Sequence, residues 1–429
     1  MTNTYRKSHR RIYRLDNAAN LYPAIRNTKR PNVFRVSADL TQPIDPNILQ
    51  NALDITLQRL PGFSVKLRSG LFWYHFVHSD DRILIQKDVA NPCTHMSVKS
   101  TGGFLIRVRY HQNRIALETF HAITDGSGAM VFLKTLIAQY LKYFGMKIPP
   151  TNGVLDCGDA PDNEEFSDQF GQFAKGRPLR KTQKSRAFHV RGTLLPPGEI
   201  QIITGTIPIN ALKQSAKLFN ATITEYLTAV YLKTLFDQQK LQSVRLQLPV
   251  KVQVPINLRN FVDTKTLRNF SAFVTPSLDP AYGDYSFAEI VKMVHHFLKY
   301  ESTKKHLQSQ VAANLRYANN AAVRMLPLGL KNNIIFLGYK LMGPAYFSST
   351  ISNLGMLKVP KKMQATVKAF NFILGSLDTT NISCAVLGYQ DQVSISFSRL
   401  IKETDVERRF FRFLINHGIP VLVKKYQEV

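Results

Sequence analysis

Between Gly103 and Tyr143 the spacing of the apolar residues changes from a strand period to a helical one, and that change fixes the local architecture. The run GFLIRVRYHQNRIALETFHAI reads as two strands joined at His111 to Asn113. With Arg114 to His121 as a strand, Ile115, Leu117, Thr119 and His121 share one face, and Ala116, Glu118 and Phe120 the other. From Gly128 onward, Met130, Leu133, Leu136, Ile137 and Tyr140 recur at helical spacing. A hairpin therefore feeds a helix through the turn HAITDGSG, which carries a histidine at the strand's end and then an aspartate. In one reading of this turn Asp125 is an N-cap, Gly126 and Gly128 allow the bend, and His121 is an ordinary strand-end residue. In the other, His121 is a general base, because an imidazole with an unperturbed pKa of about 6.5 accepts a hydroxyl or amine proton near neutral pH. Spacing by itself leaves both readings open.

The rest of the chain alternates in the same way. NVFRVSADL sets Phe34, Val36, Ala38 and Leu40 on one side, and DPNILQNALDITLQRL opens a helix at Asp45 and Pro46. Residues 145 to about 200 are rich in Pro, Gly and charge, acidic from Asp156 to Asp168 and basic from Lys175 to Arg191, as a linker would be. The second half opens on a strand near 201–207 and two helical segments joined at Asn220 to Thr222, with Thr222 and Glu225 as a capping box. A strand alternates from Val244 to Val254, and a long helix capped by Ser286 and Glu289 runs with breaks toward Pro327. Strands are expected at 347–353, 366–374, 382–388 and 392–398, and Thr404 and Glu407 cap a last helix that stops at Gly418. The expected fold class is α+β, with mostly antiparallel sheet, in two lobes at residues 1–150 and 201–429 joined by a linker at 151–200.

A chain of 429 residues that is 44% apolar buries a substantial core, and its net charge of +27 favours an anionic partner. A phosphorylated cofactor, an acidic carrier protein, nucleic acid and an anionic membrane face all qualify on charge. Nine Lys or Arg and only Asp16 lie between Arg6 and Arg35, but aromatic residues are not interleaved with them as single-stranded nucleic acid would need. The three cysteines Cys93, Cys157 and Cys384 form no framework or C-x-x-C pair, which fits a reducing cytoplasm. The start lacks a signal peptide's apolar run, and no stretch reaches the roughly 20 apolar residues of a membrane helix. His75 with His78 and His295 with His296 are not spaced to share a metal, and no phosphate-binding glycine loop or G-x-S-x-G elbow occurs.

The segment FHAITDG, residues 120–126, resembles the H-H-x-x-x-D-G signature of the acyltransferase superfamily that includes chloramphenicol acetyltransferase, peptide-synthetase condensation domains and alcohol acetyltransferases. RLDNAANLYPAI, FRVSADL, GLFWY, PINLRNF (255–261) and STISNLG (349–355) are similar to the alcohol acetyltransferase-like branch and keep its order. The resemblance implies two chloramphenicol acetyltransferase-like lobes with a tunnel between them. It implies His121 as general base and Asp125 as a structural residue, followed by Gly126, that pairs with an arginine matched here to Arg259. Phe120 departs from the pattern by replacing the first histidine.

Acyl transfer also needs donors for the oxyanion that forms on the thioester carbonyl. Related enzymes place Ser, Thr or Asn on a strand near the tunnel, so Ser352 is the candidate here, with Thr350 and Asn353 as further contacts; an ordinary Ser/Thr-rich strand is the competing reading. The resemblance therefore implies an acyltransferase that uses a coenzyme A thioester, acetyl-CoA first, and no metal. The acceptor would be a small-molecule alcohol or amine. An acyl carrier protein as donor, as in condensation domains, and a catalytically silent scaffold of the same fold are the alternatives.

Overall fold

The computed structural model describes residues 11–16, 19–25, 31–178, 185–242, 247–318, 320–342, 346–375 and 380–425. A five-stranded sheet runs in the order Val367–Ile373, Val33–Leu40, Arg114–Phe120, Ile106–His111, Gln86–Lys87. The expected hairpin is its middle, with Ile106 opposite Thr119 and His111 opposite Arg114. Helices Pro46–Arg59 and Gly126–Lys142 lay Leu49, Leu53, Leu133 and Leu136 into the core beside this sheet. Asp45 caps the first helix by accepting from the N–H groups of Asn47 and Ile48, as its position before Pro46 led us to expect.

A larger sheet runs Ser271–Val274, Val250–Asn257, Ser349–Leu357, Ile382–Tyr389, Gln392–Arg399, Gln201–Pro208, Leu422–Lys425. Most pairings in both sheets are antiparallel, but Ser349–Leu357 is parallel to both of its neighbours. A strand held on both edges is rigid, which suits a strand that carries site residues. Helices Ile223–Leu241, Phe287–Glu301 and Asp405–Asn416 cover this sheet through Tyr231, Leu235, Val294 and Phe410. The two sheets exchange material. Val367–Ile373 lies in sequence between strands of the larger sheet yet pairs antiparallel with Val33–Leu40.

Several expectations need correction. The strand expected from Val244 begins at Val250; Val244 to Leu246 lie outside the described residues, and Pro249 interrupts the alternation just before the ladder starts. Fifteen residues after Pro327, Leu328–Met342, form a helix beyond the expected helical stretch, which ended near Pro327. Thr404 stands at the N-cap of the last helix without a side-chain cap bond, and the Glu407 carboxylate pairs with Arg399 rather than closing a capping box. A short strand, Leu422–Lys425, follows that helix.

The polar stretch after residue 150 packs closely against both halves. Glu165 forms a buried two-pronged ion pair with Arg59, Nη1 and Nη2 each 2.7 Å from a carboxylate oxygen. Phe170 and Phe173 meet Phe270 edge-on. The sequence composition is that of a loop, but its few aromatics and one glutamate anchor it.

Candidate active site

The hairpin's second strand ends at Phe120, so His121 is the first residue of the turn and its N–H donates to the carbonyl of Asn32 at 2.9 Å. Its ring is held on three sides. Tyr22 stacks on it at 4.8 Å between centroids, Phe34 meets it edge-on at 4.9 Å, and Asn269 Oδ1 lies 3.0 Å from Nδ1. The amide orientation of Asn269 follows from its other bonds: Nδ2 donates to the Ala122 carbonyl at 3.3 Å and to Asp16 Oδ2 at 3.4 Å. Oδ1 can then only accept, so Nδ1 of His121 carries the proton and Nε2 keeps its lone pair. Burial pushes the His121 pKa below the usual histidine value; its own backbone, the charge of Asp125 and the Asn269 bond oppose that shift without cancelling it. The ring is therefore a neutral base of fixed tautomer.

Asp125 is bound from both halves of the chain. Its Oδ1 accepts from Gly128 N–H at 3.0 Å and caps the helix Gly126–Lys142. Its Oδ2 accepts from Arg259 Nη1 at 2.8 Å and from Phe270 N–H at 3.0 Å. Arg259 also donates from Nε to the Thr266 carbonyl at 2.8 Å and from Nη2 to the Arg268 carbonyl. Asp125 is thus at once the N-cap of this helix and the partner of Arg259.

His121 lines a cavity of about 530 Å³ whose wall includes Ser352, Thr350, Asn353, Gly126 and Gln253. Ser352 and Thr350 alternate with Ile351, which enters the core of the larger sheet, so the two hydroxyls share the cavity side of Ser349–Leu357. Thr350 Oγ1 donates to Gln253 Oε1 at 3.4 Å, and Asn353 Nδ2 to Thr224 Oγ1 at 3.0 Å. Ser352 Oγ makes no hydrogen bond to another described residue, which leaves its O–H available to a ligand. Arg259 does not line the cavity. Phe120 is buried in the core of the smaller sheet, with its ring centroid 6.4 Å from that of Tyr22, the ring that stacks on His121. Among the described residues no cluster of His, Cys, Asp or Glu is placed to hold a metal ion, and no helix is long and apolar enough to cross a membrane.

No family model matches the sequence, and no curated protein matches it. Solved structures do match, over nearly the whole chain. F. graminearum TRI101 complexed with coenzyme A and deoxynivalenol aligns at a TM-score of 0.64 and 9% identity, over 93% of this chain and 96% of that one. The first condensation domain of the CDA synthetase aligns at 0.62 and 14% identity, over 95% of both chains. Polyketide synthase associated protein 5 from Mycobacterium tuberculosis aligns at 0.61 and 13% identity, over 94% of this chain and 97% of that one. The chain has the coenzyme A-dependent acyltransferase and condensation-domain fold.

Within that fold, the sequence reading brought His121, Asp125, Arg259 and Ser352 together but missed the residues that hold the imidazole. Asn269 bonds it, and Asp16 backs Asn269 while pairing with Arg268 Nη2 at 3.3 Å. Burial raises the Asp16 pKa to about 6, against the opposing pull of Arg268. A signal was present. The tetrapeptide LRNF occurs twice, at 258–261 and 267–270. The first copy supplies Arg259 to Asp125, and the second supplies Arg268 to Asp16 and Asn269 to His121.

Proposed function

We propose that the protein is an acyltransferase that moves an acyl group, acetyl in the simplest case, from coenzyme A to an alcohol or amine acceptor. The observation that carries this is His121: a buried neutral imidazole with its Nδ1 proton fixed by Asn269, set in a wall of the cavity that also presents the uncommitted hydroxyl of Ser352. In the reaction Nε2 takes the proton of the acceptor's O–H or N–H as that atom attacks the thioester carbonyl. Ser352 Oγ–H, with Thr350 beside it, donates to the carbonyl oxygen as negative charge develops there. When the carbon–sulfur bond breaks, the imidazolium returns its proton to the leaving sulfur, so His121 ends as it began. Asp125 and Arg259 do not touch the reacting atoms; they hold the turn.

Two further observations favour coenzyme A as donor: the net charge of +27, suited to its phosphates, and the likeness to structures complexed with coenzyme A. The likeness to condensation domains favours a second reading, in which a carrier protein presents the thioester. The same proposal takes residues 1–150 and 201–429 as the two lobes and 151–200 as the connection, with Val367–Ile373 lent to the first lobe's sheet. It also places the protein in the cytoplasm, in keeping with free Cys93, Cys157 and Cys384. The test is free-thiol release from a series of acyl-CoA esters with a panel of alcohols and amines. Acceptor-dependent release supports the reading; release only from an acylated carrier favours the condensation alternative, and none from either donor contradicts both.

A further inference from the structure

We propose that the helix Leu328–Met342, with the neighbouring loop at Leu71 and Phe72, docks the protein on an anionic lipid bilayer. This helix is turned inside out relative to an ordinary surface helix. Leu328, Lys331 and Asn332 face the protein: Leu328 N–H donates to the Leu71 carbonyl at 2.8 Å, Lys331 Nζ donates to the Phe72 carbonyl and lies 3.4 Å from the centroid of the Trp73 ring, and Asn332 donates to Tyr74 Oη. The outward stripe is apolar. Leu330 is 56% exposed, Ile334 57% and Leu337 57%, and the spacings of four and three residues put them on one side. Met325, 75% exposed, precedes the helix, and Leu71, 72% exposed, lies beside it. Scattered exposed leucines are ordinary, but this many large apolar side chains on one element mark an interaction surface.

Charge decides the partner. No Asp or Glu occurs between Glu301 and Asp378, while Lys304, Lys305, Arg316, Arg324, Lys358, Lys361, Lys362 and Lys368 fall within that stretch in addition to the inward-facing Lys331. A stretch of chain free of carboxylates, with exposed Arg324 just ahead of the apolar helix face, complements a negatively charged lipid surface, with apolar residues entering the acyl boundary and basic ones meeting headgroups. The position also suits the cavity. Helix Leu21–Ile25 packs against Leu328–Met342, and its Leu21, Tyr22 and Ile25 line the cavity that holds His121. Docking there sets that wall of the cavity at the membrane surface. The docking rests on exposure and charge alone, and stands or falls independently of the acyl-transfer reading.

The test is co-sedimentation of the full chain with phosphatidylcholine vesicles, with and without phosphatidylserine, at low and high salt. Retention on the phosphatidylserine vesicles, weakened by salt and lowered about tenfold or more by Ile334→Asp with Leu337→Asp, is the expected result. Leu218→Asp, at a similarly exposed leucine on another helix, is expected to bind like the wild type and controls for added charge. Circular dichroism establishes that each variant folds. No retention on either vesicle overturns the proposal, as does retention unchanged by the paired substitution. A dimer in sedimentation that the paired substitution dissolves, without vesicle binding, overturns it in favour of a second copy of the chain.

Discussion

What surrounds His121 sets its protonation state and its tautomer. Burial keeps it neutral, and Asn269 decides which nitrogen faces the cavity. Because its pKa lies below the ordinary 6.5, the ring stays unprotonated, and competent as a base, to a lower pH than a free histidine would. The acid limb of the rate profile should therefore fall below pH 6.5, and a limb at or above that value would count against His121 as base. Asn269→Ala removes a bond that supports the charged form and fixes the tautomer. We expect it to lower kcat by about 10- to 100-fold with KM little changed and to move the acid limb further down; an unaltered profile and kcat would reduce Asn269 to packing. Ser352→Ala should lower kcat by roughly 100- to 1,000-fold while leaving the melting temperature unchanged, since no described residue depends on that hydroxyl. A large drop in melting temperature would instead make Ser352 structural.

At the scale of elements, the turn after the hairpin shows what spacing can and cannot convey. The N-cap, the hairpin register and the helix were legible because each leaves a local mark: an aspartate before the helix, a period of two, a period of 3.6. The reason for the glycines was not. Neither Gly126 nor Gly128 has a positive φ, and their need is for space. A Cβ at Gly128 would stand 2.1 Å from the Leu267 carbonyl oxygen, which is backbone of the other half and cannot yield, whereas one at Gly126 would meet Leu354 Cδ2 at 2.8 Å, the end of a flexible side chain. Gly128→Ala should thus destabilise more than Gly126→Ala in urea unfolding; the reverse order would contradict this account.

The far face of the same strand was equally silent in the sequence. Glu118, which the strand period places on the face away from His121, is fully buried among Arg35, Arg107 and Arg109, with Asp88 also on Arg35. Burial alone would raise its pKa, yet the three arginines hold it down at about 2, below its ordinary 4.5. A depressed carboxylate contributes stability that is present above pH 4.5 and lost as pH falls toward 2, on the order of 3 kcal/mol for such a shift. Glu118→Gln should cost about 3–5 kcal/mol near neutral pH by leaving buried cations uncompensated, and should flatten the loss of stability in acid. A variant as stable as the wild type would show the cluster to be dispensable.

Across the whole molecule, one loop between residues 258 and 270 joins the halves on either side of His121. Arg259 reaches Asp125, Arg268 reaches Asp16, and Asn269 reaches the imidazole itself. These contacts join residues more than a hundred positions apart, and for that reason single-strand patterns could not reveal them. Only the motif's resemblance linked Asp125 to an arginine, and for Asn269 the sequence offered no more than the second copy of LRNF, which does not say what it bonds. The most direct test of the central claim is thiol release from acetyl-CoA, with an alcohol or amine acceptor that the wild type uses, by His121→Ala whose circular dichroism and melting temperature match the wild type. The account predicts a loss of about 100- to 10,000-fold in acceptor-dependent release. Release at the wild-type rate would contradict it.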